Sequence, residues 1–115
     1  MKRVLWMSRH RPGASQLAAL RDMFGHDVVV EQEARPFDDA REIVRRYRSG
    51  GYDDLVVVAP LSVIAVLCAE GMKPLWSESA EENDPTKIDF RGARGQGFHF
   101  LRFRRIIRVA LEFED

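Results

Sequence analysis

Short apolar runs and longer amphipathic segments alternate along the first two-thirds of the chain. Leu17, Leu20 and Phe24 are spaced as on one face of a helix, and Ala40, Ile43, Val44 and Tyr47 form a second such stripe. The apolar runs that predict strands are VLWM (4–7), DVVVE (27–31), DDLVVVAP (53–60) and the weaker KPLWSES (73–79). The resulting order over residues 1–79, βαβαβαβ, predicts a parallel sheet with right-handed crossovers.

Residues that start and stop helices support this order. Asp38 or Asp39 can cap the second helix, and Asp39 and Glu42 have the spacing of a capping box. Gly25 and Gly50 stand where the first and second helices end. The third helix, in LSVIAVLCAEGM (61–72), is apolar on nearly every side, and Ser62 is its predicted N-cap.

The pattern changes after residue 79. An acidic loop, SAEENDPTK, precedes a segment without helix signals, in which apolar and polar residues alternate by twos in places. The glycine-rich GARGQG predicts a hairpin turn near residues 92–97, followed by a bend near 105–108 and a last strand through Val109, Leu111 and Phe113. Strict alternation predicts Phe98, Phe100, Arg102 and Arg104 on one face, with His99, Leu101, Phe103, Arg105 and Ile107 on the other.

We therefore predict one α/β domain over residues 1–115. Its core, residues 1–79, is a small Rossmann-like three-layer structure with about four parallel strands in the order 2-1-3-4. Residues 88–115 form a C-terminal antiparallel β-hairpin extension, which lengthens the sheet or pairs with another subunit.

Composition adds little about partners, because Lys plus Arg equals Asp plus Glu at 18 each. Cys68 is the only cysteine, the three histidines lack ligand spacing, and no dinucleotide or P-loop glycine pattern is present. We therefore expect no metal and no cofactor. The N-terminal apolar run is too short for a signal peptide and no 18-residue apolar segment occurs, so we expect a cytoplasmic protein without a membrane partner.

The first candidate site follows from the rule that open parallel sheets bind ligands beyond the carboxyl ends of their strands. SRHRPG follows the first strand and APLS follows the third, so we expect the two loops to meet where the strand order reverses. Two helix N-termini would then favour an anion: a phosphate, a carboxylate or a nucleotide. The residues assigned to this anion site are Ser8, Arg9, His10, Arg11 and Ser62. The alternative is a surface turn with solvated arginines.

The second candidate site is RGARGQGFHFLRFRR, where arginines interleave with Phe98, Phe100 and Phe103. Between residues 91 and 108 there are six arginines and no acid. Arginines that grip phosphates beside rings that stack on bases are typical of single-stranded nucleic-acid binding. The residues assigned to it are Arg91, Arg94, Arg102, Arg104 and Arg105. The alternative is that the phenylalanines belong to the core.

Three functions remain open on these grounds. The first is a non-enzymatic module that binds an anionic ligand or nucleic acid as a homodimer, since Trp6, Trp76 and the apolar third helix exceed what one small sheet covers. The second is a phosphoester- or nucleotide-processing enzyme that uses the loop after the first strand, although no catalytic residue can be assigned without a nucleophile motif. The third is a protein-interaction module that docks through the hairpin.

Overall fold

A computed structural model describes residues 1–114, so only Asp115 of the predicted C-terminal extension lies outside the described residues. The strands are β1 (Arg3–Met7), β2 (Val29–Glu33), β3 (Asp54–Val57), β4 (Leu75–Glu81), β5 (Phe90–Arg91) and β6 (Gly97–Arg105). The helices are α1 (Ala14–Phe24), α2 (Ala40–Ser49) and α3 (Leu61–Ala69), with a short 3-10 turn at Pro85–Lys87. None of the helices in this described range is long and apolar enough to cross a membrane.

The six strands form one sheet in the order β2-β1-β3-β4-β6-β5. The first four are parallel, which confirms the predicted α/β fold and the order 2-1-3-4. Strand β6 adds to β4 in the antiparallel sense and β5 adds to β6, so the hairpin extends the sheet at its edge. We call β4, β6 and β5 together the ribbon.

Alternate side chains of the parallel strands pack into two separate cores, one on each face of the sheet. Val4, Trp6 and Val56 pack with Leu20 of α1 on one face of the sheet. On the other face, Leu5, Met7, Leu55 and Val57 pack with side chains of α2 and α3, among them Ile43, Ile64 and Leu67. Burial on both faces explains why these strands are continuous apolar runs.

The helix ends follow the sequence signals with one exception. Asp39 caps α2 by accepting a hydrogen bond from the Glu42 N–H at 3.0 Å, and Gly25 ends α1 with a φ of 103°. Ser62 is not the N-cap of α3. The N-cap is Pro60, two residues earlier, because the carbonyl of Pro60 accepts the first bonds, from the N–H groups of Val63 and Ile64.

The predicted last strand does not form in the single chain. The Ile106 N–H donates to the Pro74 carbonyl at 2.9 Å, and residues 106–114 then have no helix or strand. The physical reason is the lack of a partner, because β4 begins at Leu75 and the chain before it turns back toward α3. Leu111 and Phe113 are left exposed.

A β-bulge corrects the predicted faces of β6. Glu78 pairs with Arg102 and Ser79 pairs with Phe100, which leaves Leu101 as an extra residue. The alternation therefore changes phase at Leu101. Phe100 and Phe103, predicted on opposite faces, lie together with ring centroids 4.8 Å apart.

Candidate functional site

The ribbon projects beyond the strands beside it and so creates a corner. Strands β3 and β4 share only the pair Val56–Leu75, and β4 continues to Glu81 whereas β3 ends at Val57. Together with the loops after β1 and β3, the projecting ribbon encloses a cavity of about 710 Å³. This volume lies within the range of sites for small organic ligands. We call this cavity the crevice.

One half of the crevice surrounds the start of α1. The loop after β1 contributes Ser8, His10 and Arg11, and α1 contributes its first turn. The ribbon closes this half with two serines of β4 and four residues of the hairpin strands and their approach: Ser77, Ser79, Asp89, Phe90, Arg91 and Phe100.

Side chains hold the loop after β1 in place. The buried Trp6 indole Nε1 donates to the His10 carbonyl at 2.8 Å. Gln32 of β2 donates through Nε2 to the carbonyls of Ser8 and Arg9 at 3.1 and 3.3 Å. These bonds satisfy carbonyls that no strand partner reaches, so the sequence SRHRPG has a defined path.

The first turn of α1 presents positive polarity to the crevice. Gly13 is the N-cap, the turn contains no acidic residue, and Gln16 Oε1 accepts from the Gly13 N–H at 2.8 Å. Gln16 Nε2 donates to Ser77 Oγ at 3.0 Å and thereby ties α1 to β4. The next backbone N–H groups have no acceptor within the helix, and the helix dipole adds to their partial positive charge.

Asp89 joins the hairpin to α1 and is the single carboxylate among the residues that line the crevice. Its Oδ1 accepts from Ser15 Oγ at 3.0 Å and its Oδ2 accepts from the Phe100 N–H at 2.7 Å. Three arginines line the same cavity, so the lining is positive on balance. Arg11 has no ion pair in the described part of the chain, and Arg91 donates one guanidinium N–H to the Gly95 carbonyl at 2.9 Å.

The other half of the crevice is apolar. Val58 and Leu61 are more than half exposed and Trp76 is close to half exposed. Ile106 and Val109, from the segment after β6, complete this wall, and Arg108 lies between them in sequence. Large exposed apolar side chains gathered on one concave surface are typical of a binding site.

The structure brings together part of each predicted site. Ser8, His10 and Arg11 line the crevice, whereas Arg9 and Ser62 are exposed outside its lining. Of the five hairpin arginines only Arg91 lines the crevice, and Arg94 is exposed at the turn.

The remaining hairpin arginines pair with acids. Arg102 and Arg104 approach Glu78 Oε2 at 2.9 and 3.7 Å. Arg105 forms a two-pronged bond to Asp54 at 2.7 and 2.8 Å, at the amino end of β3. Three of the five arginines therefore meet carboxylates of the chain itself, and these two carboxylates offset two of the five positive charges.

Sequence reasoning missed Asp89, Gln16 and Ser77. The only local signal was the spacing of Gln16 three residues after Gly13, which is typical of helix starts. The contacts of Asp89 and Ser77 with α1 span 74 and 61 residues of chain, so no short-range pattern could reveal them.

The acid with the largest pKa shift lies outside the crevice. Glu33, at the carboxyl end of β2, accepts from Arg35 Nε and NH2 at 2.9 and 2.8 Å. This pair lowers the pKa of Glu33 to about 2. Glu33 does not line the crevice, so this shift belongs to an ion pair outside the candidate site.

Residues 1–114 contain no group of three His, Cys, Asp or Glu side chains placed to hold a metal ion. No protein-family model, curated protein or solved structure matches this chain. The geometry of the crevice is therefore the basis for a functional proposal.

Proposed function

We propose that the chain is a binding module for a small organic anion, held in the crevice by a phosphate or carboxylate group. One observation carries this proposal: the acid-free first turn of α1, Arg11 and Arg91 all border one cavity. Backbone N–H groups at a helix start and guanidinium groups are the donors that proteins use for such anions.

The apolar half of the crevice supports an organic ligand over a bare inorganic ion. Trp76 and Leu61 offer exposed apolar surface, and Phe90 is exposed beside Arg91 on the hairpin. A ligand with an aromatic or aliphatic body would bury this surface while its charged group meets the α1 side. Nucleotides and aromatic carboxylates have this chemistry.

The hairpin favours the small ligand over a nucleic-acid strand. Three of its arginines already meet carboxylates of the chain. Its rings also contact one another: Phe98 stacks on Phe90 at 5.4 Å, and Phe103 meets the edge of Trp6 at 6.1 Å. Rings engaged within the sheet leave less surface for bases to stack on.

The hydrogen bonds made by the polar groups of the crevice fit a role in binding without catalysis. Ser8 Oγ accepts from the His10 backbone N–H at 3.2 Å, and both oxygens of Asp89 are held by Ser15 and Phe100. A catalytic serine needs a base within reach of its hydroxyl and a third group that orients that base. In the crevice, Ser8 and Asp89 instead hold the surrounding loop and hairpin in place.

Titration with a ligand panel tests the proposal. The panel contains nucleoside monophosphates, aromatic carboxylates and inorganic phosphate, and the readout is tryptophan fluorescence, since Trp6 and Trp76 both line the crevice. We expect saturable binding of an organic anion that weakens with salt, and a loss of about tenfold in affinity for Arg11→Ala and for Arg91→Ala.

Arg45→Ala is the matched control, because Arg45 is exposed on α2 and does not line the crevice. It should leave affinity unchanged. Equal binding by all three variants, or no saturable binding across the panel, would refute the anion site.

A further inference from the structure

The segment after β6 has a self-complementary pattern. Residues 107–113, IRVALEF, place apolar side chains at every second position, and Ala110 stands at the centre. Arg108 lies two residues before this centre and Glu112 two residues after it. Reversing the segment about Ala110 therefore exchanges apolar with apolar and basic with acidic positions. We call residues 107–113 the tail.

Among residues 1–114 the tail has no strand partner within its own chain. Ile107, Leu111 and Phe113 are 67%, 80% and 81% exposed, whereas Val109 packs against the core on the α3 side. The hydrogen bonds between β4 and β6 end with the one from the Ile106 N–H to the Pro74 carbonyl. An alternating segment with exposed large apolar residues and unpaired backbone is ready to pair with another strand.

We propose that the tails of two copies pair as antiparallel strands about Ala110 and form a two-fold symmetric dimer. In this register Ala110 faces its own copy and three further pairs occur twice: Arg108 with Glu112, Val109 with Leu111, and Ile107 with Phe113. Opposite charges directly across a strand pair stabilise it. A two-fold axis also requires such a self-complementary surface.

Charge excludes the parallel in-register arrangement. That arrangement sets Arg108 against Arg108 and Glu112 against Glu112, and like charges directly opposite destabilise a strand pair. Antiparallel pairing turns both repulsions into attractions. The identity of the partner follows from the same argument, since a second copy supplies the complementary sequence.

The exposed apolar wall of the crevice can cover the paired tails. Alternation puts all the large apolar side chains of the tail on one face. Val58 and Leu61 are exposed and line the same cavity as Val109, so they lie where that face can pack. This contact matters because an isolated two-stranded ribbon is only marginally stable in water.

The dimer proposal and the anion proposal share the apolar wall but rest on different charged groups. The dimer pairs Arg108 with Glu112, whereas the anion site uses Arg11, Arg91 and the first turn of α1. Sedimentation velocity measures the dimer and fluorescence titration measures the anion, so each can fail alone.

Charge reversal in the full chain tests the pairing. We expect the wild type to sediment as a dimer and R108E or E112R alone to raise the dissociation constant roughly tenfold or more. Mixing the two variants should restore a dimer, because one variant then carries two acids in its tail and the other two arginines. The combined variant R108E/E112R should also dimerise. R45E, on the exposed face of α2, is the control for a charge change elsewhere.

Three results would overturn the proposal: a monomeric wild type at its highest soluble concentration, a dimer unaffected by either reversal, or mixed variants that stay monomeric. Circular dichroism confirms that each variant is folded. The register has its own test in a C68S background, which removes the native thiol. A110C should cross-link two chains on oxidation, whereas A93C, at the exposed hairpin turn, should not. Equal cross-linking at both positions would contradict pairing about Ala110.

Discussion

The two halves of the sheet differ in strand direction and in burial. Strands β2, β1 and β3 are parallel, and β1 and β3 are buried between α1 on one face and α2 with α3 on the other. In the ribbon β6 pairs antiparallel with β4 and with β5, and Trp76, Phe90 and Leu101 are exposed on it. The parallel half provides a closed core, whereas the ribbon provides surface.

This difference explains where the crevice lies. If all the strands of the sheet ended at the same level, only loops would lie beyond their carboxyl ends. Here the longer β4 carries β6 and β5 beyond the carboxyl ends of β1 and β3, and a second wall faces those loops. The parallel half thus provides most of the stability and the ribbon provides binding surface. A mutation in one half should therefore change one of these two properties without changing the other.

Truncating a leucine in each half gives the largest contrast. Leu55 in β3 is 2% exposed and Leu101 in β6 is 47% exposed. We expect Leu55→Ala to lower the free energy of unfolding by about 2–5 kcal/mol, because it leaves a cavity in a packed core. Leu101→Ala should cost less than about 0.5 kcal/mol. Urea denaturation measures both, and similar losses would show that the ribbon is packed as tightly as the parallel half.

A glycine in the ribbon gives the next largest effect. A Cβ at Gly97 would touch Ile88 and would lie 2.7 Å from the backbone oxygen of Glu82, so the backbone must shift. We expect Gly97→Ala to cost about 1–3 kcal/mol through this overpacking.

Hydrogen exchange shows where that loss falls. Amides of β4 and β6 should exchange faster in Gly97→Ala, while those of β1 and β3 stay protected. Uniform loosening of all strands would mean that the two halves unfold as one unit.

The parallel half was predictable because its signals are local and repeated. The first two apolar runs are each followed by a helix whose start or end carries its own marker, as Gly25 and Asp39 do. The ribbon was less predictable, because its structure depends on pairing. The bulge at Leu101 exists only in relation to β4, and the tail lacks the partner that its alternation requires.

The site shows the same limit. The loop after β1 was found because the ends of parallel strands have a general tendency to bind ligands, and three of its four assigned residues line the crevice. The hairpin arginines looked equivalent in sequence, but Glu78 and Asp54 pair with three of them across the sheet. Which charges stay free is decided by tertiary contacts.

A pH titration tests the electrostatics of the parallel half. The pKa of Glu33 falls from 4.5 to about 2 through its pair with Arg35. A lowered folded-state pKa contributes stability above the unfolded-state pKa, and this contribution is lost as pH falls from about 4.5 to 2. Because Arg35 is exposed, we expect about 1 kcal/mol at most.

Glu33→Gln should therefore be less stable than wild type at pH 7, and the difference should vanish near pH 2. Urea denaturation across this pH range measures it. Glu81→Gln, in the ribbon and without an ion pair among the described residues, is the matched control and should match wild type throughout. If the difference in the free energy of unfolding between Glu33→Gln and wild type did not change with pH, the ion pair would be ruled out as its source.

The smallest effect concerns Asp89, the residue that joins the two halves. Its carboxylate lies beside the α1 start and opposes an incoming anion, although Ser15 and Phe100 donate to it. Asp89→Asn removes the charge and keeps the side-chain shape and an acceptor oxygen. We expect anion affinity in the fluorescence titration to rise by about threefold, since a partly screened charge contributes under about 1 kcal/mol. Asp84→Asn, at the 3-10 turn and away from the crevice, should leave affinity unchanged. A fall in affinity for Asp89→Asn would mean that its charge attracts the ligand, and the crevice would then be a site for a cation.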